Sequence, residues 1–217
     1  TDGFASSGES YNGKSSLTTR NNYGGGGGGK ASNSFGSTGG GGGGYGTNGS
    51  NAYPNTYRGY HVGGKGGIQY GNKELNPIYL GSGGGSGHPY FYIVADKTTH
   101  NGGNGGGIII LNANIVNIKK NGKILSNGEN GRNESGVFMS AGGAGSGGSI
   151  YITAKTLHND GIISAIGGIG GKKGKENGSM GICSNGGNGG NGRIRIDYNI
   201  MTNNGKIDPI IGYSLKI

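Results

Sequence analysis

Residues 186–196 read GGNGGNGRIRI, a three-residue glycine beat that passes into a two-residue apolar beat with no turn residue between them. Gly-Gly-x recurs at 63–67 (GGKGG), 102–107 (GGNGGG), 142–148 (GGAGSGG), 167–171 (GGIGG) and 186–192. A left-handed extended helix of the polyproline type has three residues per turn. On it, every x residue points to the same side and glycine leaves the other two sides bare. Bare sides let neighbouring segments approach closely enough for lateral N–H, C=O and Cα–H contacts. The sequence therefore predicts polyglycine II helices, with Gly186, Gly187, Gly189 and Gly190 as structural glycines. Such a helix and a β-strand are both extended, so one can run into the other without a turn.

Glycine supplies 58 of the 217 residues and apolar residues only 29%. Ordinary domains are about 45–50% apolar, so a conventional core is hard to build, and ordering this much glycine costs entropy. Dense backbone hydrogen bonding or assembly with other copies must offset that cost. Residues 1–87 form a Gly/Tyr/Asn-rich segment, read as partly irregular, with residues 1–60 open to either an ordered or a loose reading. Residues 88–217 form a repeat region, and the change of texture near 80–88 (LGSGGGSGH) suggests a boundary.

The repeats carry a strand signal. FYIVADKTTHN (91–101) and IYITAKTLHN (150–159) are nearly the same text, and GIIILNANI (107–115) and GRIRIDYNI (192–200) share its alternation. Period-two alternation implies one packed face and one wet face. Ile150, Ile152, Ile194 and Ile196 are assigned to the packed side, and Arg193, Arg195 and Asp197 to the exposed side. Asn159-Asp160-Gly161 and Asn203-Asn204-Gly205 supply turn residues, so strand–turn–strand units of roughly 15–20 residues are expected. Helical periodicity is absent. The fold class is thus all-β, with short strands and tight Asn-Gly turns (β-solenoid or sandwich-like) combined with polyglycine II helices and essentially no α-helix.

Catalytic chemistry finds little support. GGGGGGK (24–30) matches half of a P-loop, but Ala31 replaces the Mg²⁺-binding Ser or Thr and no apolar strand precedes it. The glycine runs lack the Asp of calcium-binding nonapeptides. Of the histidines His61, His88, His100 and His158, the last two occupy matching repeat positions and read as structural turn residues. Cys183 is the single cysteine and has no ligand or His spacing around it. No catalytic, metal or cofactor site is expected, and no cofactor. Thr1 in place of Met reads as a processed chain or a fragment, and no apolar run is long enough to span a membrane.

The remaining candidates are contact residues. Tyr45, Tyr53, Tyr57 and Tyr60 sit among Gly, Ser and Asn, as in binding loops, where rigid rings give contact area at low entropic cost. The alternative is that they pack on glycine backbone as the bulky residues at hand. Lys119, Lys120, Lys172 and Lys173 are candidates for contact with an anionic surface, in a chain of net charge +9, or simply solvated loop charges. Asn48, Asn133 and Asn177 stand in Asn-x-Ser/Thr.

GGSIYITAKTLHNDGIISAIGGIGG (147–171) and GGNGGNGRIRI (186–196) resemble the glycine-rich, polyglycine II-forming proteins of microbial surfaces and phage tail fibres. Weaker likenesses are to the glycine-rich ligand-binding region of certain receptor tyrosine kinases and to glycine-rich ice-binding proteins. The first resemblance implies a non-enzymatic extracellular, cell-surface or virion protein. Two roles follow from it: self-assembly into a fibre, sheath or tail tip with other copies as partners, or an adhesin recognising surface glycan or protein through Tyr-rich loops. A nucleic-acid-associated role is a further alternative, against which the chain lacks RGG repeats.

Overall fold

The computed structural model describes residues 25–26, 31–32, 36–53, 63–88, 100–136, 139–175, 183–210 and 213–216. Among them there is no helix. The strands are β1 (Ala31–Ser32), β2 (Gly36–Ser37), β3 (Ile108–Ile118), β4 (Lys123–Leu125), β5 (Ser149–Asn159), β6 (Ile162–Ser164), β7 (Arg193–Asn203), β8 (Lys206–Asp208) and β9 (Tyr213–Lys216). β1 and β2 pair antiparallel. The rest form two parallel sheets, ordered β3-β5-β7-β9 and β4-β6-β8.

The expected strand–turn–strand units are present at 108–125, 149–164 and 193–208. The short strand of each unit does not fold back on its own long strand. It pairs with the short strands of the other units, so each Gly-containing turn is a corner between two sheets. Parallel stacking brings matching side chains into ladders, including Ile109–Ile150–Ile194, Leu111–Ile152–Ile196 and Ile124–Ile163–Ile207. Ile150, Ile152, Leu157, Ile163, Ile194 and Ile196 are completely buried in one cluster. Burial of each such side chain contributes up to about 1.5–3 kcal/mol. The fourth repeat, at 91–101, falls almost wholly outside the described residues.

The glycine runs lie beneath the strands as extended segments. Among the described glycines only Gly71 has a positive φ, 66°. Their hydrogen bonds run sideways, with a three-residue period. Ala141, Ala144 and Gly147 donate to Ser184, Gly187 and Gly190. Gly143 and Ser146 donate instead to Gly85 and Ser82, while Gly145 and Gly148 donate to Glu129 and Ser126. Segment 140–148 in turn accepts from Gly40 and Gly43, from Gly103 and Gly106, and from Gly168 and Gly171. Three neighbouring segments accept its N–H groups, and three others donate to its carbonyls. Every residue from Ser140 to Ile150 is buried. A Cβ on Gly145 would be driven into the Asn104 carbonyl, and one on Gly189 into that of Gly145. The close approach of backbones is what requires glycine at these positions.

Hydrogen bonds cross the boundary expected near 80–88, as from Gly43 to Ala144 (2.8 Å) and from Gly84 to Gly103 (2.9 Å). The inner segments are not left bare for other copies, since this chain surrounds them.

Candidate interaction surfaces

Tyr45 is fully buried, which places it among packing residues and away from any surface contact. It ends segment 38–45 where the glycine bundle meets the strands. Its Oη donates to Ser149 Oγ at 2.6 Å, and Ser149 Oγ donates to the Tyr79 carbonyl at 2.6 Å. Tyr70 tilts against it with ring centroids 4.9 Å apart, and Tyr79 meets Tyr70 edge-on at 5.6 Å. Burial pushes the Tyr45 phenol above its ordinary 10.0, against the opposing effects of Ser149 and Arg193.

The same layer corrects the expected exposure of Arg193, Arg195 and Asp197. The arginines are half-buried and Asp197 is 3% exposed. Residues 70–79 lie over this face of β5 and β7. Arg193 Nη2 donates to the Tyr70 carbonyl at 2.9 Å, and Arg195 Nη1 to that of Glu74 at 2.6 Å. Arg195 also grips Asp197 through Nε (3.1 Å) and Nη2 (2.7 Å) while lying 4.6 Å over the Tyr151 ring. Tyr151 Oη donates to Asp197 at 2.7 Å. Arg195 and Asp197 engage each other, Arg193 binds backbone carbonyls of the covering segment, and this layer acts as a clasp between strands and covering segment. Alternation along RIRI reveals one packed face, but it cannot report a distant segment that covers the other.

A second surface lies at the end of the glycine bundle away from the strands. Tyr53 is 65% exposed there, and its N–H reaches the Asn185 carbonyl at 3.4 Å. Asn185 Oδ1 accepts the Lys173 N–H at 2.8 Å. One asparagine thus brings together two residues nominated separately, a tyrosine for ligand contact and a lysine for an anionic surface. Exposed Lys172 is adjacent, its N–H held by Asn133 Oδ1 at 2.8 Å. Tyr57 and Tyr60 lie outside the described residues. His100 is also at this end, its Nδ1 2.9 Å from Glu134 Oε1, with both side chains buried. His158 instead belongs to β5, level with Asn117 and Thr202, so the two histidines do not occupy equivalent places.

Lys119 and Lys120 are exposed at the opposite end, in the corner between β3 and β4. The four lysines therefore make two separate patches. Near Lys119, β3 ends its sheet among the described residues and carries exposed Ile110 (64%) and Ile115 (69%).

The asparagines of the glycine runs hold a role that the sequence reading did not assign. Asn185, Asn188 and Asn191 present Oδ1 to the N–H groups of Lys173, Gly170 and Gly167. Asn127, Asn130 and Asn133 do the same for Ile166, Ile169 and Lys172. Among the described residues no backbone carbonyl accepts these N–H groups, and the carboxamides satisfy them. The three-residue spacing of Asn in NGENGRN and NGGNGGN was the available signal.

Among the described residues no three His, Cys, Asp or Glu side chains are placed to hold a metal ion. No helix among them is long and apolar enough to cross a membrane. Comparison with protein-family models, curated proteins and solved structures finds no match.

Proposed function

We propose that the glycine segments are polyglycine II helices bundled around 140–148, that the stacked units form a short β-solenoid, and that the whole is a non-enzymatic scaffold displaying a recognition surface. The reading is that of an adhesin or receptor-binding module, extracellular or on a cell or virion surface. One observation carries it. Asn185 accepts the Tyr53 N–H through its carbonyl and the Lys173 N–H through Oδ1, so exposed Tyr53, Lys172 and Lys173 lie together at the end of the bundle away from the strands. Contact residues held at the end of a rigid frame are a common way to build a binding face. Tyr53 with Lys172 and Lys173 suits an acidic glycan or an anionic protein patch, with a ring for stacking and ammonium groups for charge.

The test is attachment to surface glycan or receptor-bearing cells. Tyr53→Ala combined with Lys172→Ala and Lys173→Ala is expected to abolish attachment with the thermal transition unchanged. Full attachment by that folded variant overturns the reading.

Among the described residues β3 ends its sheet with no strand beyond it, and this supports a second reading, growth of a filament from copies of the chain. Long edge strands that expose apolar residues invite pairing with another chain. The two outer edges of a parallel stack differ, so edge-to-edge addition would be head-to-tail and would not close. Sedimentation at increasing concentration tests it, and a strictly monomeric chain refutes it.

A further inference from the structure

Asn-Gly recurs along this chain, and asparagine is a thermolabile residue. The route is intramolecular. The glycine nitrogen loses its proton and attacks Cγ of the preceding asparagine, a C–N bond forms, and ammonia leaves. Water then opens the resulting succinimide at either carbonyl, giving aspartate or isoaspartate. Two conditions are needed: a carboxamide free to turn, and a peptide plane free to rotate towards it.

The glycine bundle denies both conditions to most of its asparagines. Asn127 Oδ1 accepts the Ile166 N–H at 3.0 Å while the N–H of Gly128 is bound to the Ile166 carbonyl at 2.9 Å. Asn130 with Gly131, and Asn188 with Gly189, are held in the same double manner. In the corner of the third unit, Asn204 Nδ2 donates to Asp160 at 3.0 Å and the Gly205 N–H binds the Asn159 carbonyl at 2.8 Å. Asn101 has no side-chain hydrogen bond among the described residues, but Gly102 lies so close to Gly84 that a Cβ there would strike its carbonyl.

Asn121 differs on both counts. It is exposed in the corner between β3 and β4, and its carboxamide has no hydrogen bond among the described residues. The N–H of Gly122 is held by one local turn bond, to the Lys119 carbonyl at 2.7 Å. A side chain at Gly122 would first meet Ile118 and Lys119 of its own turn, and the next unit is reached through the Gly122 carbonyl, which accepts the Ile162 N–H at 3.0 Å, not through the peptide plane that must rotate.

We propose that Asn121 is a self-modification site, the described Asn-Gly pair that converts selectively to aspartate and isoaspartate while the folded bundle protects the others. The product places a carboxylate beside Lys119, Lys120 and Lys123, lowering the positive charge of that patch. The isoaspartate form also adds a backbone carbon in the corner, one residue before β4.

Peptide mapping by mass spectrometry during incubation of the whole folded chain at mildly alkaline pH tests this. Conversion at 121 is expected to outrun that at 127, 130, 188 and 191 by at least about tenfold, because each ~1.4 kcal/mol needed to open the bundle locally slows reaction tenfold. In denaturant the difference should vanish. Asn121→Gln, which lengthens the ring that must form, should fold alike and lose the early deamidation of the peptide that holds residue 121. Equal rates in the folded chain, a rate advantage at 121 that survives in denaturant, or the same early deamidation of that peptide in Asn121→Gln would each overturn the proposal.

Discussion

Tyr45 and Ser149 are joined by a 2.6 Å hydrogen bond, although 104 residues separate them in the chain. One terminates a glycine segment and the other opens β5, so this contact fixes the bundle against the sheet. Ser149 passes its own proton to the Tyr79 carbonyl, leaving the Tyr45 hydroxyl as its one donor partner.

Removing that hydroxyl tests the joint. Tyr45→Phe keeps the ring against Tyr70 and leaves Ser149 without its donor, which should cost about 1 kcal/mol. In a chain of this length that lowers the melting temperature by roughly 2–4 °C, readable by calorimetry.

Alkaline pH should reach the same residue. The folded phenol titrates above its ordinary 10.0 because burial penalises the phenolate. The folded state therefore holds this proton more tightly than the unfolded chain does. That stability is fully present below about pH 10 and declines as pH rises from there through the folded value. Denaturation curves taken either side of pH 10 should show wild type losing more stability than Tyr45→Phe.

Asp197→Ala takes the Asp197 carboxylate from Arg195 and leaves its bond to the Glu74 carbonyl and its place over the Tyr151 ring. Loss of one partner from a buried ion pair costs roughly 3 kcal/mol, somewhat less here because Arg195 is partly exposed. Urea unfolding should show the loss, and proteolysis between residues 70 and 79 should quicken as the clasp loosens.

Gly145→Ala separates a tight bundle from a loose one. The added methyl meets the Asn104 carbonyl, a backbone atom that cannot swing aside. A destabilisation of about 3 kcal/mol or more is expected. The same change at Gly107, where nothing stands within 4 Å, should be nearly silent. Equal melting temperatures for the two variants would contradict the packing described.

Ile110→Lys places a charge on the exposed face of the edge strand β3. It should leave the melting temperature within about 1 kcal/mol of wild type, as surface changes usually do. If filaments grow from this edge, light scattering at high concentration should fall.

What the sequence disclosed follows from periodicity. The alternation in SIYITAKTLHN and RIRIDYNI identified Ile150, Ile152, Ile194 and Ile196 as packed, because a strand's two faces can be read from its own residues. The corners at Asp160-Gly161 and Asn204-Gly205 were readable for the same local reason. Pairing of β4 with β6, and not with β3, was not readable, since it depends on how separate units stack. Nor was the cover over Arg195 visible, because it comes from residues 120 positions away and has no repeat of its own. For Tyr53 and Lys173, the sequence nominated each for contact but gave no hint that Asn185 holds both.

Segment 140–148 takes its hydrogen-bond partners from residues as early as Gly40 and as late as Arg193. It cannot be enclosed until both arms of the chain are present, so local order gives it little help during folding. Contacts of such sequence separation make for slow folding. A ribosome-bound chain ending before residue 183 would hold this segment with one flank open. Truncation should therefore not yield a smaller version of the bundle, and the protein should be cut or lost as a unit.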